Sequence, residues 1–285
     1  MDEAVSQLID AALEEDIGPG DLTSEYFVPA DAKVRAFVVA RDDGVLAGTE
    51  VAVEVFRRVS PDIDVQVLVN EGAKVGKGAH VISLTGPARG VLTAERTALN
   101  FLQRLSGVAT ATRRYVDEIA DASARILDTR KTTPGWRLLE KAAVVAGGGT
   151  NHRMGLYDRV MVKDNHLVAQ HDTEALQAAI RRLKEEHPGV EVELEADRLE
   201  QVAIFLELEG VDHILLDNMS LMDLTEAVAL RGDRLTPRLE ASGGVTLETA
   251  RSIAMTGVDF VSVGAITHSA VALDLGLDFV PLEEE

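Results

Sequence analysis

The chain has 285 residues, of which 46% are hydrophobic and 27% charged, and its formal net charge is −20. This length and composition are sufficient for one large domain, or for a large domain beside a smaller one. The chain has no cysteine, which excludes disulfides, thiolate metal sites and a cysteine nucleophile. Its acidic surface would repel phosphates, which argues against nucleic-acid binding.

The first sixteen residues show an acidic amphipathic pattern, without the basic and apolar regions of a secretion signal. No stretch approaches the ~18 uninterrupted apolar residues that a membrane span requires. We therefore expect a cytoplasmic protein that does not enter a membrane.

The spacing of apolar residues and glycines over residues 1–110 predicts a mixed α+β domain. The predicted elements, in order, are an N-terminal helix, a turn-rich stretch over 18–25, strand-like residues 33–48, a helix at 49–59, strand-like residues 62–69 and short strands separated by glycines over 72–90. A long helix over 92–122 then leads into the second part.

From residue 124 onward, apolar runs alternate with helical patterns, which is typical of a parallel sheet. The runs are 124–129, 158–164, 190–195, 212–218, 238–243 and 258–264, and the helical patterns are 137–146, 173–186, 197–209, 220–231 and 246–256. Almost every run ends in polar residues or glycine, as expected where the strand ends of a barrel converge on one face. We therefore predict an incomplete α/β barrel over 111–273, after an N-terminal domain over 1–110 and before a C-terminal tail over 274–285.

Positive charge is concentrated in one part of the chain. Residues 125–166 hold eight cations against four acids, a net charge of +4, which leaves −24 for the rest. The cations of this basic island are Arg125, Arg130, Lys131, Arg137, Lys141, Arg153, Arg159 and Lys163. Clustered like charges predict either a small anionic ligand or ion pairs with acids elsewhere in the fold.

Carboxylates lie at two consecutive strand ends. Glu193 and Asp217 suit a hydrated Mg²⁺ or a ribose diol, because hard cations and hydroxyls prefer oxygen partners. Glu191, Glu193 and Glu195 share one alternation parity and should point to one face, where ion pairing with the basic island is the alternative.

Small residues at the last two strand ends, 241–245 and 262–269, predict a phosphate site, because they let backbone N–H groups approach an anion. Lys131 and Lys163 also end strand runs, and a strand-end lysine is how Schiff-base lyases of the barrel class work. A lyase is therefore a second candidate class.

With these residues in view, the chain resembles the quinolinate phosphoribosyltransferases, also called carboxylating nicotinate-nucleotide pyrophosphorylases. The matching segments are 15–25, 95–110, 127–137, 147–166, 191–195, 214–218, 240–245 and 258–269. The resemblance implies an N-terminal sandwich-like α/β domain followed by an open seven-stranded α/β barrel. It also implies a homodimer, or a hexamer, in which the neighbour's N-terminal domain completes each active site.

The reaction implied is that of quinolinate with phosphoribosyl pyrophosphate, giving nicotinate mononucleotide, pyrophosphate and CO₂ with Mg²⁺. The residues implied to bind substrate are Arg96 from the partner subunit, Thr129, Arg130, Lys131, His152, Arg153, Lys163, Glu193 and Asp217. Lys131, Lys163, Glu193 and Asp217 are also the implied catalytic groups, and Glu193 and Asp217 the implied Mg²⁺ ligands, directly or through water. The implied 5′-phosphate residues are Ser242, Gly243, Gly244, Val263, Gly264, Ala265 and His268.

Three alternatives remain open at this point. One is a nicotinate phosphoribosyltransferase or a molybdenum-associated protein of the same fold, although the full cationic set favours a dicarboxylate substrate. Another is a Schiff-base lyase that uses Lys163 or Lys131. The third is a metabolite-binding barrel without catalysis, which the carboxylates and lysines disfavour. The choice of Glu193 over Glu195 as the ribose carboxylate is also open.

Overall fold

A computed structural model of the chain describes residues 1–163 and 173–280, in two compact units. The first unit combines residues 1–113, 132–148 and those from 266 onward. The second combines residues 114–131 and 149–265. The units thus interleave along the chain, whereas the domains predicted from the sequence are continuous stretches.

The first unit contains five helices and an antiparallel sheet among its described residues. Its helices are α1 (Glu3–Ile17), α2 (Leu22–Phe27), α3 (Thr49–Val59), most of α4 (Ala88–Glu118) and α5 (Arg137–Ala146). Its strands are β1 (Lys33–Ala40), β2 (Gly44–Val45), β3 (Asp64–Val67), β4 (Lys74–Val75), β5 (His80–Pro87) and β12 (Leu275–Val280). The main sheet has the order β12-β1-β5-β3, and β2 pairs with β4.

Two segments of this unit differ from the sequence reading. Helix α2 begins inside the stretch predicted as turn-rich and extends two residues beyond it, because the Asp21 carboxylate accepts a hydrogen bond from the Ser24 N–H at 3.0 Å and caps a short helix. The segment expected as a C-terminal tail contributes β12, which pairs antiparallel with β1. Residues 281–285 of that segment lie outside the described residues.

The second unit is built on six parallel strands in the order β6-β11-β10-β9-β8-β7. They are β6 (Arg125–Leu127), β7 (Arg159–Val162), β8 (Glu191–Ala196), β9 (His213–Asp217), β10 (Arg238–Ser242) and β11 (Phe260–Ser262). Its helices are α6 (Thr173–Glu186), α7 (Leu199–Phe205), α8 (Leu221–Arg231) and α9 (Leu247–Ala254), and α10 (Ala265–His268) runs on into the first unit. The predicted parallel α/β fold is therefore confirmed.

The sheet is open among the described residues, with β6 and β7 as its edges. Thr150 forms a parallel bridge with Leu127 on the outer side of β6, where a seventh strand would lie. One face of the sheet is apolar and fully buried, for example Leu194 on β8, Ile214 on β9 and Leu239 on β10. Alternation along each strand leaves the other face to the polar residues of the site.

Among the described residues, no helix combines the length and the apolar composition needed to cross a membrane.

Candidate active site

The second unit gathers ionisable side chains on one face of its sheet. The strand register places Glu193 on β8 opposite His213 on β9, and Glu240 on β10 opposite Leu215 on β9. Since residues opposite each other share a face, Glu193, His213 and Glu240 all project from the same side. Their exposed fractions are 0%, 4% and 1%, so these ionisable side chains are almost completely shielded from solvent.

His152 adds an imidazole to this face. Its loop begins at Thr150, which bridges the end of β6, and the backbone N–H of His152 then donates to Oδ1 of the buried Asp128 at 2.8 Å. Nε2 of His152 lies 3.0 Å from Oε2 of Glu193 and 3.4 Å from Oε2 of Glu240. We call His152, Glu193 and Glu240 the His–Glu–Glu cluster. It is the one group of His, Asp and Glu ligand atoms in the described part of the chain that is compact enough to surround a metal ion.

Two members of the His–Glu–Glu cluster, His152 and Glu193, have raised pKa values. Burial disfavours a charged imidazole, but the two close carboxylates outweigh burial and raise the pKa of His152 to about 9. Burial, and next the charge of Glu240, raise the pKa of Glu193 against the opposing effect of His152. The backbone N–H of Arg153 donates to Nδ1 of His152 at 2.7 Å, so Nδ1 is an acceptor. With Nδ1 accepting, the hydrogen of the neutral imidazole lies on Nε2, and the raised pKa values of His152 and Glu193 indicate that these two side chains hold one further proton between them.

The other two glutamates of β8 face cations of the basic island. Oε2 of Glu191 lies 2.5 Å from Nη2 of Arg159, and Oε2 of Glu195 lies 2.5 Å from Nζ of Lys163. Arg159 also approaches Glu193, with Nη1 and Oε2 at 3.8 Å. The ion pairing between β8 and the basic island, which the sequence left open as the alternative to ligand binding, is present, and the three glutamates share one face as predicted. The choice of Glu193 over Glu195 as the ribose carboxylate stays a prediction.

Two guanidinium groups lie within electrostatic reach of each other in this unit. Burial, and next the positive charge of Arg130, lower the pKa of Arg153. Nη1 of Arg153 donates to the carbonyl oxygen of Arg159 at 3.1 Å, which holds the side chain in place. The exposed Lys131 follows Arg130, and its backbone N–H donates to Oγ1 of Thr129 at 3.1 Å. An anionic ligand would relieve the repulsion between the two arginines.

The predicted phosphate turn adjoins the predicted ribose carboxylate. Asp217 and Ser242 end β9 and β10 in register, and the backbone N–H of Asn218 donates to the carbonyl oxygen of Ser242 at 2.9 Å. Gly243 and Gly244 follow with φ of +99° and +58°, conformations that glycine adopts without the cost of a side chain.

The second predicted phosphate segment follows β11. The backbone N–H of Val263 donates to the carbonyl oxygen of Leu127 at 2.9 Å, which continues the pairing of β11 with β6. Gly264 is partly exposed, and Ala265 begins α10. Both predicted phosphate segments therefore start at carboxyl ends of strands in the second unit.

Two residues of the predicted site, one for substrate and one for the 5′-phosphate, lie in the first unit. Arg96 is exposed on α4, and His268 is exposed at the end of α10 with Nδ1 2.6 Å from Oγ of Ser269. Residues 164–166, which end one of the matching segments, lie outside the described residues.

Three residues beside the predicted site were not predicted as part of it: Asp128, Asn218 and Glu240. Glu240 shares its strand and its alternation parity with Ser242, so the sequence did carry a signal for it. Asp128 and Asn218 act through contacts with other segments, which no local pattern reveals.

Sequence models of protein families match nearly the whole chain. Residues 21–106 match "Quinolinate phosphoribosyl transferase, N-terminal domain", and residues 108–278 match "Quinolinate phosphoribosyl transferase, C-terminal domain". A curated protein of Mycobacterium leprae, named nicotinate-nucleotide pyrophosphorylase (carboxylating), is 43% identical over 97% of this chain and 97% of its own length. A chloroplastic protein of Arabidopsis thaliana with the same enzyme name is 42% identical over 95% of this chain and 81% of its own length.

Comparison with solved structures indicates the same family. The nicotinate-nucleotide pyrophosphorylase of Francisella tularensis has a TM-score of 0.90 and 37% identity, and the match covers 98% of this chain and 96% of that one. The human nicotinic acid phosphoribosyltransferase, at 13% identity and a TM-score of 0.64, shares the fold alone.

The open parallel sheet, with its cationic and glycine-rich strand ends, and these matches define the class as a phosphoribosyl transferase. Within that class, the chain belongs to the quinolinate phosphoribosyltransferase family, as its sequence indicated.

Proposed function

We propose that this chain converts quinolinate and phosphoribosyl pyrophosphate to nicotinate mononucleotide, pyrophosphate and CO₂, the carboxylating nicotinate-nucleotide pyrophosphorylase reaction of NAD synthesis. The names of its relatives support this reaction. The single observation that carries it for this chain is the half-buried Arg153 near Arg130 in the second unit, where burial and the positive charge of Arg130 lower the pKa of Arg153. A pyridine dicarboxylate offers each guanidinium a carboxylate that can accept two hydrogen bonds.

The chain's residues act first by binding and orientation. Arg130 and Arg153 would bind the quinolinate carboxylates, while Lys131 and Lys163 add positive charge. Lys163 is held by Glu195, and this ion pair would place its ammonium group beside the substrate. The ring nitrogen of quinolinate then bonds to the anomeric carbon as the bond from that carbon to pyrophosphate breaks. Glu193 and Asp217 favour the positive charge that develops on the ribose.

Decarboxylation follows on the positively charged pyridine ring. The bond to the 2-carboxylate breaks, CO₂ leaves, and the ring nitrogen stabilises the electron pair left on carbon 2 until that carbon takes a proton. We assign Lys131 to the neighbourhood of this carboxylate.

Mg²⁺ fits this site only in part. Asp217 is partly exposed at a strand end and could hold a hydrated cation through a carboxylate oxygen. Glu193 is fully buried with Nε2 of His152 at 3.0 Å, so Mg²⁺ bound to Glu193 would lie beside an imidazole nitrogen, which suits this ion less well than oxygen. When bound, Mg²⁺ would stabilise the charge of the departing pyrophosphate.

We further propose the homodimer in which Arg96 reaches the partner's site; its exposure on α4 is compatible with this role. Mixing Arg96→Ala and Lys131→Ala proteins tests it. Random re-association should restore up to about a quarter of wild-type activity, because half of the dimers would then hold one intact site. Activity that stays at the sum of the two variants would refute the shared site. The cytoplasmic location stays a prediction, and the names of plant relatives place those proteins in chloroplasts or mitochondria.

The Schiff-base alternative receives less support. Nζ of Lys163 lies 2.5 Å from Oε2 of Glu195, so this nitrogen is occupied by an ion pair and is not directed at a carbonyl substrate. Borohydride trapping with a carbonyl substrate should therefore not label Lys163, and labelling of Lys131 would support the lyase instead.

One assay tests the function. Purified protein with Mg²⁺ and phosphoribosyl pyrophosphate should release labelled CO₂ from quinolinate labelled at the 2-carboxylate, with nicotinate a poor substrate. Equal or faster turnover of nicotinate would overturn the proposal in favour of a nicotinate phosphoribosyltransferase.

A further inference from the structure

Asn218 has an unusual backbone conformation directly after β9. Its φ is +53°, and it is the one residue other than glycine with positive φ within residues 1–163 and 173–280. Side chains disfavour this left-handed region, although asparagine tolerates it better than most residues. A conformation of this kind persists only where the surrounding contacts maintain it.

Three contacts maintain the turn at Asn218. Its backbone N–H donates to the carbonyl oxygen of Ser242 at 2.9 Å, which extends the β9–β10 pairing by one residue. Its side-chain Nδ2 donates to Oδ2 of Asp217 at 2.9 Å. Its amide also lies against Gly243, where a Cβ atom would overlap it. Asn218 therefore contacts the ends of both strands at once.

These contacts join two groups with different predicted tasks. Asp217 is the predicted ribose carboxylate, and Ser242, Gly243 and Gly244 form the predicted 5′-phosphate turn. The hydrogen bond to Oδ2 orients the Asp217 carboxylate and leaves Oδ1 for a ligand. The amide against Gly243 fixes the path of the phosphate turn relative to that carboxylate.

We propose that Asn218 is a positioning residue for the phosphoribosyl half of the site, which holds the Asp217 carboxylate and the Gly243 turn in one fixed arrangement. This role rests on the proposed function, because it presumes a ligand with a ribose and a 5′-phosphate. Asn218 is assigned no contact with quinolinate, so its loss should affect one substrate selectively.

Two substitutions separate the amide from the backbone conformation. Asn218→Gly keeps positive φ at no steric cost and removes the amide, whereas Asn218→Ala removes the amide and also disfavours the turn. Asn70→Gly, at an exposed asparagine in a loop of the first unit, is the matched control. Circular dichroism and thermal unfolding of every variant report whether the fold is intact.

The readout is calorimetric binding of ribose 5-phosphate and, separately, of quinolinate, followed by KM for each substrate. Asn218→Gly should weaken ribose 5-phosphate binding about tenfold, as expected for loss of a hydrogen bond to a charged group, with quinolinate binding unchanged. Asn218→Ala should weaken it further, and Asn70→Gly should match wild type.

An equal loss for both ligands, or unchanged ribose 5-phosphate binding in Asn218→Gly, would overturn the positioning role. Wild-type protein that fails to bind ribose 5-phosphate would overturn it as well. Failure of wild type to release CO₂ from quinolinate, with selective ribose 5-phosphate binding retained, would instead count against the proposed function and leave the role of Asn218 supported.

Discussion

Nε2 of His152 lies 3.0 Å from Oε2 of Glu193, and both side chains are almost completely buried. Glu240 approaches the same nitrogen from β10 at 3.4 Å. Two buried carboxylates beside one imidazole are costly unless a proton is shared among them. The ionisation of His152 is therefore set by the carboxylates of the sheet that surrounds it.

Replacing Glu240 by glutamine should lower the pKa of His152 by roughly one pH unit, because one of the two carboxylates that raise it is lost. Titration of the imidazole C–H resonances by NMR, assigned with His152→Gln, measures this change. We also expect KM for quinolinate to rise several-fold. Glu226→Gln, at an exposed glutamate on α8, is the control. An unchanged pKa of His152 in Glu240→Gln would contradict this prediction.

The stability of the protein should fall as the pH rises from about 6.5 to about 9. The pKa of His152 is raised from 6.5 to about 9 in the folded state, so the folded form holds a proton that the unfolded form has released. Its contribution is complete below the unfolded pKa and is lost as the pH passes the folded one. The raised pKa of Glu193 acts in the same direction.

Urea unfolding at a series of pH values measures this loss, which we expect to be of the order of 1–3 kcal/mol. His152→Gln should flatten the profile across this pH range, whereas His187→Gln, at an exposed histidine after α6, should not. Parallel profiles for wild type and His152→Gln would remove His152 as the source.

Arg153→Ala should raise KM for quinolinate about 10- to 100-fold and leave KM for phosphoribosyl pyrophosphate nearly unchanged, because a charge-assisted contact with a carboxylate is lost. Arg130→Ala should do the same. Arg182→Ala removes an arginine whose side chain is 78% exposed on α6 and is the control. Comparable increases in KM for both substrates would place these arginines outside the carboxylate site.

Glu140→Ala should reduce the free energy of unfolding by about 3 kcal/mol, since it breaks a buried ion pair and leaves Arg104 without its partner carboxylate. Glu140 is fully buried, and its Oε1 accepts from Nη2 of Arg104 at 2.7 Å and from Oγ1 of Thr133 at 2.8 Å. Removing Glu209, which pairs with Arg181 on the surface, should cost less than about 1 kcal/mol. Equal losses in thermal or urea unfolding for the two variants would show that burial does not determine the strength of the pair.

Much of the fold could be predicted because its signals are local. Helix-period spacing predicted α5 at residues 137–146, and apolar runs located all six parallel strands to within a few residues. A short helix such as α2 was missed, since its six residues hold less than two turns of pattern and its cap at Asp21 resembles an ordinary turn.

The sequence by itself determined the family, the alternation of strands and helices, and the concentration of positive charge in residues 125–166. Only the tertiary structure decided which acids meet which cations. Glu240 and Asp128 join His152 because β10, the end of β6 and the loop after Thr150 converge, and a contact between distant segments leaves no trace in a local pattern. The contact of the Asn218 amide with Gly243 likewise depends on tertiary structure, because it requires β9 and β10 to pair in register.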